Sequence, residues 1–215
     1  MRPGKMIKRF NEENFHSLCD SLGQQNHHLQ SILTEYGYPP LWRRPNTFET
    51  IVLTILEQQV SLASAFAAYK KLKEKIEDIT PEKILLLTDD DLRSCYFSRQ
   101  KIIYVRGLAA AVVSKKIDLH AFETAEDMLV RKSLKELKGI GDWTVDIYLL
   151  HALQHTDIFP IGDLALVNAI KMITGETLTK EKMILMAEAW KPYRSIATMI
   201  LWHYYIKKKN LSFIP

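Results

Sequence analysis

The sequence predicts an all-α protein, and three observations carry that prediction. Apolar residues recur at helical spacing: in "FETIVLTILEQQV", Phe48, Ile51, Val52, Ile55 and Leu56 fall at i, i+3, i+4, i+7 and i+8. Convincing strands are absent, and the hairpin dipeptides Asn-Gly and Asp-Gly never occur. Ser, Thr and Asn residues stand just ahead of several apolar runs, where a side-chain oxygen can cap a helix.

Taken in order, Asn46 or Thr47 caps the helix that opens at Phe48, and a second helix follows from about Ser61 through "LASAFAAYKKLKEKI". "TPEKILLL" has Thr80 as cap and Pro81 at the first helical position, where its missing N–H costs nothing. "TDDDLRSCY" is a short helix capped by Thr88, and "SRQKIIYVRGLAAAVVSKK" a long one capped by Ser98. "TAEDMLVRKSLKEL" gives one or two short helices, and another runs from about Asp142 to Leu153. Further helices are expected over roughly 164–173, 181–189 and 192–208, about ten in all. No fixed-period repeat suggests a solenoid. Two segments punctuate the chain: "YGYPPLWRRPN", 36–46, holds three of the 8 prolines, and "TDIFPIGD" spans 156–163.

The length of 215 residues suits one large domain or two small lobes. The net charge of +4 and pI near 8.9 are mildly basic and admit an anionic partner without requiring one. Two distant cysteines, Cys19 and Cys95, cannot by themselves ligate zinc or an iron–sulfur cluster, and they suit a reducing compartment. The N-terminus "MRPGKMIKRFNEENF" lacks the apolar core of a secretory leader, and no run reaches the length of a membrane span.

"LKGIGDWTVDIYLL", 137–150, places two of the 8 glycines one residue apart ahead of an apolar helix. Two readings compete. Gly139 and Gly141 can be a helix end followed by a tight turn. They can also expose backbone N–H groups at a helix start, an anion site that suits a DNA phosphate. Asp163 lies twenty residues beyond Trp143, after a Pro- and Gly-containing turn and before another apolar helix. Alone it reads as an N-cap.

Together, hairpin, apolar helix, turn and Asp form a unit that resembles the helix-hairpin-helix, Gly/Pro, Asp superfamily of DNA glycosylases, in its 3-methyladenine DNA glycosylase II branch. "PPLWRRPNTFETIVLTILEQQVS", "SRQKIIYVRGLA", "GIGDWTVDIYLL…DIFPIGDLAL" and "WKPYRSIATMILW" are similar to that branch's segments in the same order, over about residues 28–205. The resemblance implies a two-lobed helical fold with an active-site cleft between the lobes. One lobe would span 48–155 and end in the hairpin; the other would combine 1–47 with 156–215.

By the same resemblance, Asp163 is the catalytic aspartate. Trp143 and Trp202 line the base pocket, with Trp42 and Tyr148 as further candidates. Gln59 intercalates into the gap left by a flipped nucleotide. Gly139 and Gly141 grip a phosphate, and backbone carbonyls of Lys135, Leu137 and Gly139 would hold a monovalent cation. Trp143 stands where strand-nicking members carry a lysine, and an indole cannot form a Schiff base. By the resemblance, no counterpart is expected of the cysteine cluster of the iron–sulfur members or of the N-terminal β-rich domain of the type II enzyme. Asp142 is a departure, because it puts a carboxylate beside the proposed phosphate.

The implied function is a monofunctional DNA glycosylase of base excision repair that hydrolyses the N-glycosidic bond of alkylated purines such as 3-methyladenine and 7-methylguanine. It would work without a cofactor, as a monomer on double-stranded DNA in the cytoplasm and nucleoid, with no membrane partner. A non-catalytic DNA-binding module and a glycosylase for another lesion are the rival readings. Elsewhere, Lys101 and the "IKKKN" tail read as solvated charge, Asp146 as a structural hydrogen bond, Arg194 as structural, and Trp190 and Tyr193 as core or cap. His27 and His28, adjacent in sequence, make a poor metal pair.

Overall fold

The computed structural model of the chain describes residues 9–211. The stretch up to residue 8, which opens the segment read for a leader, lies outside them. Among the described residues the chain is helical throughout, and its one β feature is an isolated bridge between Arg9 and His155. No helix there is long and apolar enough to cross a membrane. The chain divides into two compact units: Arg44–Tyr148 forms one, and the described residues up to Arg43 and from Leu149 onward form the other.

The Arg44–Tyr148 unit holds α3 (Phe48–Glu57), α4 (Leu62–Ile76), α5 (Pro81–Leu86), α6 (Asp89–Ser94), α7 (Arg99–Val113), α8 (Asp127–Lys135) and the first part of α9 (Asp142–His151). Local chemistry sets the helix starts. Thr47, Ser61, Thr80, Thr88 and Ser98 each accept a hydrogen bond from the backbone N–H three residues on. Thr88 and Asp91 complete a capping box. Each cap contributes about 1 kcal/mol. Helix α7 packs against α3, α5 and α6. It buries Ile102, Val105, Leu108 and Ala109, one continuous stripe at helical spacing.

The other unit contains α1 (Phe15–Gln25), α2 (His27–Tyr36), α10 (Leu164–Thr174), α11 (Lys180–Glu188) and α12 (Arg194–Lys208), with the last turn of α9. Helix α12 is its axis and packs against α1, α2 and α10. Every residue from Ser195 to His203 is buried, so α12 is enclosed over more than two turns. Helices α1 and α2 lie ahead of the first helix expected from the sequence. Asn26 caps α2 through Leu29 N, a start signal of the same kind as those in the other unit.

Candidate functional site

In the Arg44–Tyr148 unit, α8 and α9 form the expected hairpin. Leu137 N donates to Leu134 O (3.0 Å), Ile140 N to Leu137 O (3.2 Å) and Val145 N to Gly141 O (3.1 Å), carrying the chain from one helix into the next. The two glycines do different jobs. Gly139 has φ +86, and a Cβ there would sit 2.1 Å from Cγ of the Tyr104 ring, so both backbone and packing demand glycine. Gly141 is exposed, and a Cβ there would meet nothing within 4 Å. Its missing side chain leaves an open approach to the first amides of α9, which have no acceptor within the helix.

Asp142, the acid beside this turn, is paired: Lys135 Nζ lies 2.6 Å from its Oδ1. Lys135 therefore offsets the charge that would repel a phosphate. Asp146 is buried and paired with Arg131, which ties α9 to α8 as a structural interaction. Trp143 lies half-buried in the first turn of α9. Tyr148, read as a pocket candidate, is 0% exposed, donates its hydroxyl to Asn46 and packs edge-on against Phe122 at 6.3 Å. Those contacts make it core to the hairpin helix, a ring with no solvent face.

Gln59 follows the end of α3, is exposed and has φ +56. A non-glycine residue in that region costs roughly 1–2 kcal/mol. Surrounding contacts hold it there. Gln58 Nε2 donates to Gly139 O (2.9 Å) and Thr144 Oγ1 (2.8 Å). Arg44 forms a two-pronged pair with Glu57, one prong at 2.9 Å. Lys101 Nζ donates to Leu56 O, a C-terminal carbonyl of α3, at 2.6 Å. Lys101 is thus no solvated charge: burial lowers its ammonium pKa from the ordinary value. Lys101 and Tyr104, at i and i+3 of α7, share a face, so one helix braces both the Gln59 turn and the Gly139 turn.

In the other unit, Asp163 is the N-cap of α10. Its Oδ1 accepts from Leu166 N and from Trp202 Nε1, each at 2.9 Å. Two donors on one oxygen, one backbone and one indole, fix the carboxylate's rotamer. Trp202 is itself held. The His151 ring stacks on it at 5.5 Å and 2°, and Trp42 meets it edge-on at 6.4 Å. His151 Nδ1 donates to Trp42 O at 3.1 Å, since a carbonyl can only accept. Trp42 and Trp202 are 7% and 8% exposed.

The loop leading to Asp163 is anchored by the start of α12. Arg194 binds Asp157 through Nε–Oδ1 (2.6 Å) and Nη2–Oδ2 (2.9 Å). Ser195 Oγ donates to His155 O (2.6 Å) and accepts from Ile158 N (2.9 Å). Asp163 N then closes a turn onto Pro160 O at 2.8 Å. So Asp163, Trp202 and Trp42 share one cluster in this unit, while Gln59, Gly139, Gly141 and Trp143 share the other. His151, Gln58 and Arg44 are site-supporting residues absent from the sequence reading. Their partners are mostly backbone carbonyls or distant side chains, which leave no local signature.

No group of three or more His, Cys, Asp or Glu among the described residues could hold a metal ion. The His27 and His28 rings lie tilted at 38° with centroids 3.9 Å apart.

The family model of HhH-GPD superfamily base excision DNA repair proteins matches residues 52–195. Two Bacillus subtilis proteins are similar to the chain. YfjP is 29% identical over 184 residues and the match covers 81% of this chain; a DNA-3-methyladenine glycosylase is 28% identical over 172 residues, covering 74%. The chain spans 64% and 57% of their respective lengths. Among solved structures, the Schizosaccharomyces pombe 3-methyladenine DNA glycosylase Mag1 in complex with abasic DNA shares the fold. Its TM-score is 0.82 at 24% identity, covering 93% of this chain and 100% of that one. The helical units, the hairpin, the capped aspartate and the match over 52–195 converge: the chain belongs to the HhH-GPD superfamily of base excision DNA repair proteins.

Proposed function

We propose that the chain is a monofunctional DNA glycosylase that hydrolyses the N-glycosidic bond of alkylated purines in double-stranded DNA. The observation that carries this reading is the carboxylate of Asp163, fixed by Leu166 N and Trp202 Nε1 at the end of an anchored loop. A DNA-binding module needs only the cap on α10, and the indole donor from Trp202 on the same carboxylate oxygen goes beyond capping. The name of the Bacillus subtilis DNA-3-methyladenine glycosylase supports the choice of lesion.

In this reading the hairpin amides at Gly139 and Gly141 grip a phosphate, and the damaged nucleotide leaves the stack. That costs about a few kcal/mol, least for a damaged base. Gln59 fills the gap. Trp202, with Trp42 edge-on against it, and Trp143 are each an aromatic candidate for the base; a cationic N-alkylpurine gains from an aromatic face. Such a base is already a good leaving group. The C1′–N9 bond breaks, its electron pair passes to the base and neutralises it, and the Asp163 carboxylate stabilises the cationic sugar. A water oxygen bonds to C1′ and its proton passes by way of Asp163 to solvent, leaving free base and an abasic site.

Trp143 offers no amine, so no Schiff base forms and the strand stays intact. The carbonyls of Lys135, Leu137 and Gly139 would hold a monovalent cation. Leu137 O and Gly139 O each already accept one hydrogen bond and keep a second lone pair, which suits a hard cation bound by backbone oxygen. Such an ion would supply positive charge next to a phosphate.

Purified protein incubated with methylated duplex DNA should release 3-methyladenine and 7-methylguanine, and the strand should break only after added alkali. Binding without base release reduces the protein to a DNA-binding module. Release of a different base moves the substrate, and breakage without alkali ends the monofunctional reading.

A further inference from the structure

The tandem glutamines at the end of α3 point to different tasks. Gln59 is exposed on a strained backbone, whereas Gln58, one residue earlier, turns inward. Its Nε2 has two hydrogens, and both are used: one on Gly139 O at 2.9 Å, the other on Thr144 Oγ1 at 2.8 Å. The first acceptor lies in the hairpin turn at φ +86, the second in the first turn of α9, where Thr144 is 2% exposed. Gly139 O can only accept, so the amide's orientation is set by its partners.

We infer that Gln58 is a positioning residue that sets Gln59 in register with the phosphate-gripping hairpin. The inference rests on the reading that Gln59 enters the base stack. A side chain that fills the gap left by a flipped nucleotide is useful only at a fixed distance from the phosphate being held. The peptide bond joining Gln58 to Gln59 allows about one residue of reach, so tying Gln58 to both ends of the hairpin turn sets that distance. Lys101 on Leu56 O and Arg44 on Glu57 hold the same helix end from other sides, but neither touches the hairpin turn. Gln58 alone among these three links the two DNA-facing elements.

Gln58→Glu tests this, because it keeps the shape, removes both donors and sets a carboxylate against the Gly139 carbonyl. Gln58→Met keeps the length without charge and serves if the Glu variant folds poorly. The readouts are the amplitude of 2-aminopurine fluorescence when a duplex carrying that probe base is bound, and affinity for an undamaged duplex, both well below the melting temperature. The flipping amplitude should fall roughly 10-fold in both variants, as expected from two lost hydrogen bonds, while the uncharged Gln58→Met variant keeps affinity for an undamaged duplex within about 2-fold, since Gly139 still packs on Tyr104. In a Gln59→Ala background the same substitution should have no further effect, because nothing remains to be positioned.

A merely structural Gln58 predicts penalties that multiply in the double variant, and that result overturns the inference. So does a full flipping amplitude in both Gln58 variants while Gln59→Ala reduces it. If Gln59→Ala itself leaves flipping intact, the intercalation reading fails, and this inference with it.

Discussion

Asp163 and Gly139 are held in place by opposite kinds of chemistry. The carboxylate is a side chain fixed by other side chains: Trp202 donates to it, and His151 and Trp42 pack around that indole. The hairpin works through backbone, and what fixes it is a missing Cβ above the Tyr104 ring. Side-chain sites can be altered without disturbing the fold that carries them. Backbone sites cannot, so damage to the hairpin should register in stability as well as in binding.

The largest contrast comes from Asp163→Asn. Asn caps a helix about as well as Asp, so the melting temperature should hold while base release in single turnover falls by about 10²–10³-fold. A large drop in melting temperature would show that the carboxylate is built into the fold after all. Gly139→Ala should do the reverse. Positive φ and the overlap with Tyr104 together cost roughly 2–5 kcal/mol, and calorimetry should show a melting point lower by about 5–15 °C.

Trp202→Phe is a milder probe of the side-chain cluster. It keeps a ring for His151 and Trp42 but deletes the donor to Asp163. Loss of one hydrogen bond to a charged group predicts roughly a 10-fold lower kcat, and the smaller ring against the base should raise KM as well. Gly141→Ala sharpens the backbone side of the contrast, since its Cβ meets open space. The melting temperature should stay put while affinity for duplex DNA drops roughly 10-fold, a blocked phosphate approach. Unchanged affinity would reduce Gly141 to a turn residue.

The smallest effect is alkaline, and both units contribute. Burial first, then Asp20, pushes the Cys19 thiol from 9.0 up to about 12. Burial and the hydrogen bond to Glu49 push Tyr69 from 10.0 up to about 12. In each case the folded chain keeps a proton that the unfolded chain loses. Stability is therefore complete below pH 9 and falls as pH rises above it, first through Cys19 and above pH 10 also through Tyr69. Thermal melts between pH 8 and pH 10.5 should show this decline, and Cys19→Ala should postpone its onset.

The Ser and Thr caps of the Arg44–Tyr148 unit were legible because each stands directly before an apolar periodic run. Helices α1 and α2 were less so: Asn14, at the cap position of α1, makes no side-chain capping bond, and α2 buries only Leu29 and Ile32. The hairpin's glycines were visible as glycines, but the division of labour between them required Tyr104, thirty-five residues earlier. Lys101 and Gln58 were out of reach for one shared reason. Their partners, Leu56 O and Gly139 O, are carbonyls, which every residue possesses and no sequence advertises. Tyr148 was hidden in a different way, since a motif does not show that its ring is fully buried and its hydroxyl spent on Asn46.

The capping bond from Leu166 N to Asp163 has an evolutionary side. Aspartate and asparagine codons differ by a single G-to-A transition, and the cap is indifferent between the two. With Asp163 in its proposed role, a lineage could thus lose catalysis in one step with no penalty in folding, keeping the hairpin and every contact that supports it. Selection on stability would never see that change. Only selection on repair guards the carboxylate, and descendants of this fold that bind DNA without cutting a bond lie one nucleotide away.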